Sequence, residues 1–544
     1  MMQYFSDCGK FLAESINKIF GDREPWQIAT LTASGVISLH WLWNTLIQDE
    51  CLYERSKKCF FSYAKKIPYV RAKVEAEIDK INSEFQRNTL ENTKDVTYLI
   101  RLPEKGLNYQ EISKKVDQHL NLGSYDWRNG RVSGAVYYYN EDLIKLTTEV
   151  YGKASYTNPL HADLFPGICK MESEVVRITA TLFNGGPSVC GTMTTGGTES
   201  LLMACKAYRD YAKANKGITK PNIVAATSVH AAIDKAGQYF GIHIKSIKIN
   251  EKTMAVDVRA MESAINRNTI MLVGSAPNFP YGTMDDIEAI AKLGKKYNIP
   301  VHVDACLGGF VIVFMKKAGY KLPPFDFSID GVTSISVDPH KYGFTPKGSS
   351  VILYSDKKYR HYQYTVTTDW PGGVYGSPTV NGSRAGGVIA ACWAALMSFG
   401  EEGYIEATKS IVDTARYIEN ELRKIKGLFI FGTPATTVVA MGSHDFDIFR
   451  LSDMLCHKGW NLNALQFPSG IHFTVTYMHT VNGIAEAFVK DVKLAVNDIL
   501  KNPSEKVEGK MAIYGVAQSV PDRSLVGDFT KAFIDSMYYV PPEL

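Results

Sequence analysis

The sequence carries little surplus charge of either sign, no patterned cysteines and no internal repeat. Across 544 residues, 60 basic side chains face 56 acidic ones for a formal charge of +4. Nothing therefore draws the whole chain toward nucleic acid, and any basic role is local. The nine cysteines, among them Cys8, Cys51, Cys59, Cys169, Cys190 and Cys306, form no CxxC pair and no zinc-ligand spacing. That excludes a zinc module and argues for reduced thiols in a cytosolic catalytic body, with no metal expected. No low-complexity tract appears. A chain this long exceeds one core, so a large domain with a smaller one is the default.

One stretch lacks charge altogether. Residues 26–47, WQIATLTASGVISLHWLWNTLI, contain no formal charge unless His40 is protonated, and as a helix they would span about 33 Å, enough for a bilayer's hydrocarbon core. The segment reads as a membrane-spanning helix. Trp26, Trp41 and Trp43 stand near its ends, and it lacks the basic start and early small-residue cleavage site of a secretory signal. Its Thr, Ser and Gly content leaves a buried core helix as the alternative. Arg55, Lys57, Lys58, Lys65, Lys66, Arg71 and Lys73 follow it, whereas only Lys10, Lys18 and Arg23 precede it. The positive-inside rule then makes residues 1–25 lumenal and the long body cytosolic.

Residues 48–149 read as a stalk and N-terminal segment, helical and charged over 69–86. From 150 to 400, helical patterns alternate with apolar runs: NIVAATSV at 222, TIMLVGSA at 269, IPVHVDA at 299, GVTSISV at 331 and SVILYS at 350. Unbroken Val and Ile runs suit strands covered on both faces, with helices such as 286–296 between them, hence an α/β domain with a largely parallel sheet. After a long helical stretch to about 425, GLFIFG, TTVVAMG and GIHFTVTY predict a smaller α+β domain over 401–544.

Ligands of open α/β sheets bind beyond the carboxyl ends of the strands, so the residues that close each run carry the functional signal. Lys341 follows the strand ending at Val337; partial desolvation there is expected to lower its ammonium pKa and offer a neutral amine, as a Schiff-base lysine requires. Asp304 closes IPVHVDA, where a buried carboxylate needs a cationic partner such as a protonated pyridine nitrogen. His230 follows NIVAATSV and can lie against an aromatic ring. In GTMTTGGTES, residues 191–200, glycines permit close approach and Thr198 opens a helix whose free amides can hold a phosphate; no Gly-Lys-Ser/Thr follows, so it is not a P-loop. Each feature alone is an ordinary cap or turn. Phosphate cradle, stacking histidine, ring-nitrogen aspartate and His340-Lys341, in that order, are the requirements of pyridoxal 5'-phosphate (PLP) chemistry.

NPLHADLFPG at 158, GGTESLLMACKAYRD at 196, HVDACLGGF at 302, SVDPHKYGFTPKGSS at 336 and TDWPGGVYGSPTVNGSRAGG at 368 resemble the sphingosine-1-phosphate lyase family. The resemblance runs from about residue 50 to about 540. It implies the PLP-dependent transferase fold type I, and a homodimer anchored in the endoplasmic reticulum membrane. It also implies cleavage of a phosphorylated sphingoid base to a long-chain aldehyde and phosphoethanolamine. By motif, Lys341 carries the cofactor, Asp304 pairs with its ring nitrogen and His230 stacks on the ring. Gly197, Thr198 and His340 bind the cofactor phosphate, and Asn158 faces the cofactor. Tyr137, His161 and Lys347 meet the substrate phosphate, and Lys347 is the favoured acceptor of the 3-hydroxyl proton, with a tyrosine or the cofactor phosphate as alternatives. Tyr375 and Ser377 reach in from the partner subunit. Two positions depart from the family pattern: Ala385 stands where proline is common, and Pro339 precedes His340 where threonine is usual, which bears on the aim of His340.

An amino acid decarboxylase would share His340, Lys341 and Asp304 but would need a carboxylate site. A non-catalytic membrane scaffold would be expected to have lost one of the cofactor residues.

Overall fold

The structure is a computed structural model that describes residues 14–46, 52–123, 125–505 and 522–541. Two compact units emerge, one of 1–122 with 520–544 and one of 123–519. The second unit thus joins the regions expected to part at residue 400, where Gly400 kinks the helical run Gly386–Leu422.

In the first unit, the uncharged segment does fold as a helix, Pro25–Leu46. The expectation that it spans a membrane is corrected: among the described residues no helix is long and apolar enough to cross one. Gln27, Asn44, His40 and the Thr and Ser residues dilute the apolar ones below what insertion requires. Residues 1–13 of the expected lumenal segment, with Cys8 and Lys10, and also Ile47 and Cys51, lie outside the described residues. The predicted stalk helix forms over Pro68–Thr93. The tail helix Arg523–Ser536 packs on it, Phe85 meeting Phe533 edge to face at 5.4 Å.

The second unit is built on a seven-stranded sheet of β1 (Cys190–Thr194), β2 (Asn222–Ala226), β3 (His243–Ile247), β4 (Thr269–Ser275), β5 (Val301–Asp304), β6 (Val332–Val337) and β7 (Ser350–Tyr354). Its order is β1-β7-β6-β5-β4-β2-β3. Neighbours among β2 to β6 pair in parallel, and only β7 runs antiparallel to the strands beside it. The fully buried NIVAA and TIMLVGS runs are the strands covered on both faces, as their unbroken apolar character requires. The helix predicted over 286–296 forms at Ile287–Tyr297, with Asp286 accepting the Ala289 amide and Asn298 closing its end in the left-handed region at φ 51°. A separate antiparallel sheet combines Phe429–Ile430, Val438–Gly442, Gly470–Thr474 and Asn463–Leu465, the α+β region expected after 401.

Candidate active site

The chemistry gathers where β6 leaves the sheet. Asp338, 2% exposed, begins a turn in which the Lys341 amide donates to the Asp338 carbonyl at 3.1 Å. The same turn brings Lys341 Nζ to 2.9 Å from Asp338 Oδ2. Burial alone would lower the lysine's pKa, but the Asp338 carboxylate, with Tyr137 and Cys306, outweighs it and holds the ammonium above its ordinary value. The expected lowered value is thereby corrected: the sequence reading counted desolvation and missed the counter-ion three residues earlier.

His340, after Pro339, lines a cavity at a helix start. Its Nδ1 accepts the Ser349 amide at 3.2 Å, which leaves the hydrogen on Nε2, 3.6 Å from Asp338 Oδ2. Burial first, then the ammoniums of Lys347 and Lys341, lower its pKa, with Asp338 opposing them, so the ring is a neutral donor.

Across from this turn stands the helix Gly197–Lys216, whose first amides receive no side-chain cap. Glu199 is occupied with the Thr195 amide and hydroxyl, at 2.7 and 2.6 Å. A Cβ at Gly197 would lie 2.7 Å from Asp338 Oδ2 and 2.9 Å from Cys306 Sγ, so only glycine fits. His230, after β2, is fixed by the Ala232 amide on its Nδ1 at 3.1 Å. Together Gly196, Gly197, Thr198, His230, Cys306, Asp338, His340 and Lys341 line a cavity of about 220 Å³. Asp304, the buried last residue of β5, receives the Cys306 amide on Oδ1 at 3.0 Å. Its Oδ2 has no hydrogen-bond partner among the described residues.

His340 and Lys341 also border a second cavity, of about 280 Å³, with Tyr137, Tyr138, Asn140, Phe344 and Lys347. Lys347 Nζ lies 4.9 Å over the Tyr137 ring and donates to the His340 carbonyl at 3.3 Å. Although Lys347 keeps contact with solvent, loss of water around the amine, then the Lys341 ammonium, lowers its pKa. Burial pushes the Tyr137 hydroxyl up to about 12, so it stays protonated.

The structure thus unites Lys341, His340, His230, Gly197 and Thr198 in one cavity and Tyr137 and Lys347 in the next. Asp304 and Tyr375 line neither cavity, and three more expected residues lie elsewhere. Asn158 Oδ1 accepts the Leu160 and Arg384 amides and ties two loops together. His161 is exposed, and Ser377 is buried against its own loop, donating to the Asn381 carbonyl at 2.7 Å. Asp338 and Cys306 were not foreseen as site residues. The spacing of an acid three residues before Lys341 on one turn was the available signal for Asp338; nothing in the sequence pointed to Cys306.

These residues fit PLP: an open helix start for the phosphate, a glycine whose missing Cβ makes room, a carboxylate oxygen left free at Asp304 and an amine at Lys341. Fold and site define a PLP enzyme of fold type I. Residues 95–442 match the pyridoxal-dependent decarboxylase conserved domain. "Sphingosine-1-phosphate lyase" of Drosophila melanogaster is 64% identical over 538 residues, covering 99% of both chains. "Sphingosine-1-phosphate lyase 1" of Mus musculus is 50% identical over 520 residues, covering 95% of this chain and 91% of the mouse protein. The solved structure of a Burkholderia pseudomallei sphingosine-1-phosphate lyase superposes with a TM-score of 0.76 at 36% identity, covering 82% of this chain and 99% of that one. The chain belongs to the sphingosine-1-phosphate lyase family.

Proposed function

We propose that the protein cleaves the C2–C3 bond of phosphorylated sphingoid bases, yielding a long-chain aldehyde and phosphoethanolamine. The observation that carries this reading is the position of Lys341 between two cavities, one a phosphate cradle and the other bearing the Lys347 amine and the Tyr137 hydroxyl. PLP, when bound, supplies the electron sink for the pair released as that bond breaks. Lys341 would hold it covalently, the Gly197 and Thr198 amides and His340 Nε2–H its phosphate, and Asp304 Oδ2 its ring nitrogen, with His230 walling the cavity. Lys347, more easily deprotonated than a free lysine, takes the proton of the 3-hydroxyl. Tyr137, kept protonated by burial, donates to the substrate phosphate, and we assign His161 to the same phosphate on the strength of the family motif.

Incubation with phosphorylated and unphosphorylated sphingoid bases tests the reading. Aldehyde and phosphoethanolamine from the phosphorylated base alone support it; carbon dioxide from an amino acid would establish the rival decarboxylase. Equal turnover of both bases would remove Tyr137, His161 and Lys347 from their assigned roles.

Family resemblance also supports a homodimer in which Tyr375 and Ser377 complete the partner's site; Asn158 faces the cofactor in that arrangement. Mixing an inactive Lys341→Ala chain with an inactive Ser377→Ala chain then restores part of the activity, and no recovery contradicts sharing. Attachment to the endoplasmic reticulum membrane, with the body on the cytosolic side, is supported by the uncharged, tryptophan-bearing helix Pro25–Leu46 and the basic residues after it. A phosphorylated single-chain lipid costs about 0.8 kcal/mol per methylene to bring into water, so an enzyme held beside the bilayer shortens that path. Protease digestion of sealed microsomes should degrade the body; protection would reverse the orientation. Extraction at alkaline pH should release the protein, as surface attachment requires; retention would contradict it.

A further inference from the structure

Asp338 ends β6 almost wholly buried, and its two carboxylate oxygens are used unequally. Oδ2 faces Lys341 Nζ at 2.9 Å and His340 Nε2 at 3.6 Å. Oδ1 is buried without a hydrogen-bond partner. Both oxygens press on the first residue of the Gly197–Lys216 helix, 2.7 and 3.0 Å from where a Gly197 Cβ would stand. The carboxylate therefore shares the helix start and the cavity wall with the place that suits the cofactor phosphate. Two anions at one helix terminus repel, and the effect grows out of water. Lys341, meanwhile, is held as an ammonium and must shed a proton before its nitrogen can attack a carbonyl carbon. One proton transfer relieves both conflicts.

We propose that Asp338 takes the proton that Lys341 gives up when the cofactor attaches, and keeps it, so that a neutral carboxylic acid faces the cofactor phosphate. The step balances. The ammonium passes one proton to the carboxylate. The neutral Nζ then bonds to the aldehyde carbon of PLP, and the aldehyde oxygen leaves as water with the two hydrogens remaining on Nζ. Nothing is oxidised, and no net proton reaches bulk solvent. Oδ1, otherwise without a partner, becomes one end of an acid able to donate to phosphate. The other titratable groups around the pair are His340 on the same turn, Cys306 and Asp304 at the end of β5, Tyr137 and Lys347 from the neighbouring cavity, and His230 across the wall. Asp338 is the carboxylate nearest the lysine among them.

The proposal rests on cofactor attachment at Lys341, so the test reads attachment and the proton separately. The full chain is stripped of cofactor, PLP is added, visible absorbance follows attachment and infrared difference spectra follow carboxyl groups. The expected result is a carboxylic-acid carbonyl stretch that appears with attachment, shifts in heavy water and moves when aspartate is carbon-13 labelled. It should be missing in Asp338→Asn at any degree of cofactor attachment that the visible absorbance records. Attachment without that band in the wild type overturns the proposal, whatever the folding of the variant. So does a band that persists in Asp338→Asn. Failure of the wild type to attach cofactor overturns the PLP reading itself, and this proposal with it.

Discussion

Lys347 is the residue whose two jobs can be separated by substitution. As a cation it meets the substrate phosphate; as a neutral amine it accepts a proton. Lys347→Met should lower kcat/KM for the phosphorylated base by about a hundredfold, because it removes both the cation that meets the substrate phosphate and the amine that accepts the proton. Lys347→Arg keeps the charge and should restore KM while kcat stays low, because a guanidinium does not deprotonate. Loss of water and the Lys341 ammonium both move the Lys347 pKa down, so its neutral fraction appears at lower pH than for a free lysine. The acid limb of the kcat profile should therefore lie below the ordinary lysine range and vanish in Lys347→Arg; an unchanged limb assigns the proton elsewhere. At Gly197 a methyl group would meet Asp338 and Cys306 inside 3.0 Å. Gly197→Ala should cost ~1–3 kcal/mol of cofactor binding, about tenfold or more in affinity, measured by titrating the stripped protein.

At the scale of elements, what the sequence made legible follows from how completely each strand is buried. β2, β4, β5, β6 and β7 show as apolar runs because helices cover both faces. β1 and β3 do not: CGTMT is diluted by glycine and threonine, and HIKSI is an edge strand with an exposed serine and half-buried neighbours. The strand-end chemistry at Lys341, Asp304 and His230 was legible for the same reason that the strands were. The Lys341 counter-ion was legible only in the three-residue spacing that lets a turn fold Asp338 back onto the lysine, because periodicity carries no such information. The long helix adds a constraint that no local pattern announces. Gly400 interrupts it at φ 59°, and beyond the kink Tyr404 donates to the Gly343 carbonyl at 2.7 Å, two residues after Lys341. Tyr404 also stacks on Phe314 at 5.1 Å. Tyr404→Phe should cost about 1 kcal/mol of stability from the lost hydrogen bond, and Gly400→Ala ~1–3 kcal/mol because φ 59° with ψ −178° is a backbone conformation open essentially to glycine alone. Denaturant unfolding measures both, and unchanged midpoints would show that the helix does not brace the Lys341 turn.

For the whole molecule, three buried histidines should lower stability on acidification. His302, His472 and His479 are each lowered to about 4, by burial above all. His302 is bonded on both nitrogens to Ser334 and Ser336. Each stays neutral in the folded chain and protonates first in the unfolded one, so stability rises with pH between about 4 and the ordinary histidine value and is lost as pH falls through that window. Between pH 7 and 5 each should remove about 2 kcal/mol. Asp285 runs the other way, since burial raises it to about 6. It stabilises the fold below that value and returns about 1 kcal/mol over the same interval. A net loss on acidification is expected in denaturant titrations, and His302→Gln should flatten the slope; a flat wild-type profile would contradict it. The whole site turns on the covalent bond at one lysine. Borohydride reduction of the purified protein followed by peptide mass spectrometry should find a pyridoxyl group on Lys341 and on no other lysine. A protein that carries none, or carries it elsewhere, would contradict the assignment of the site.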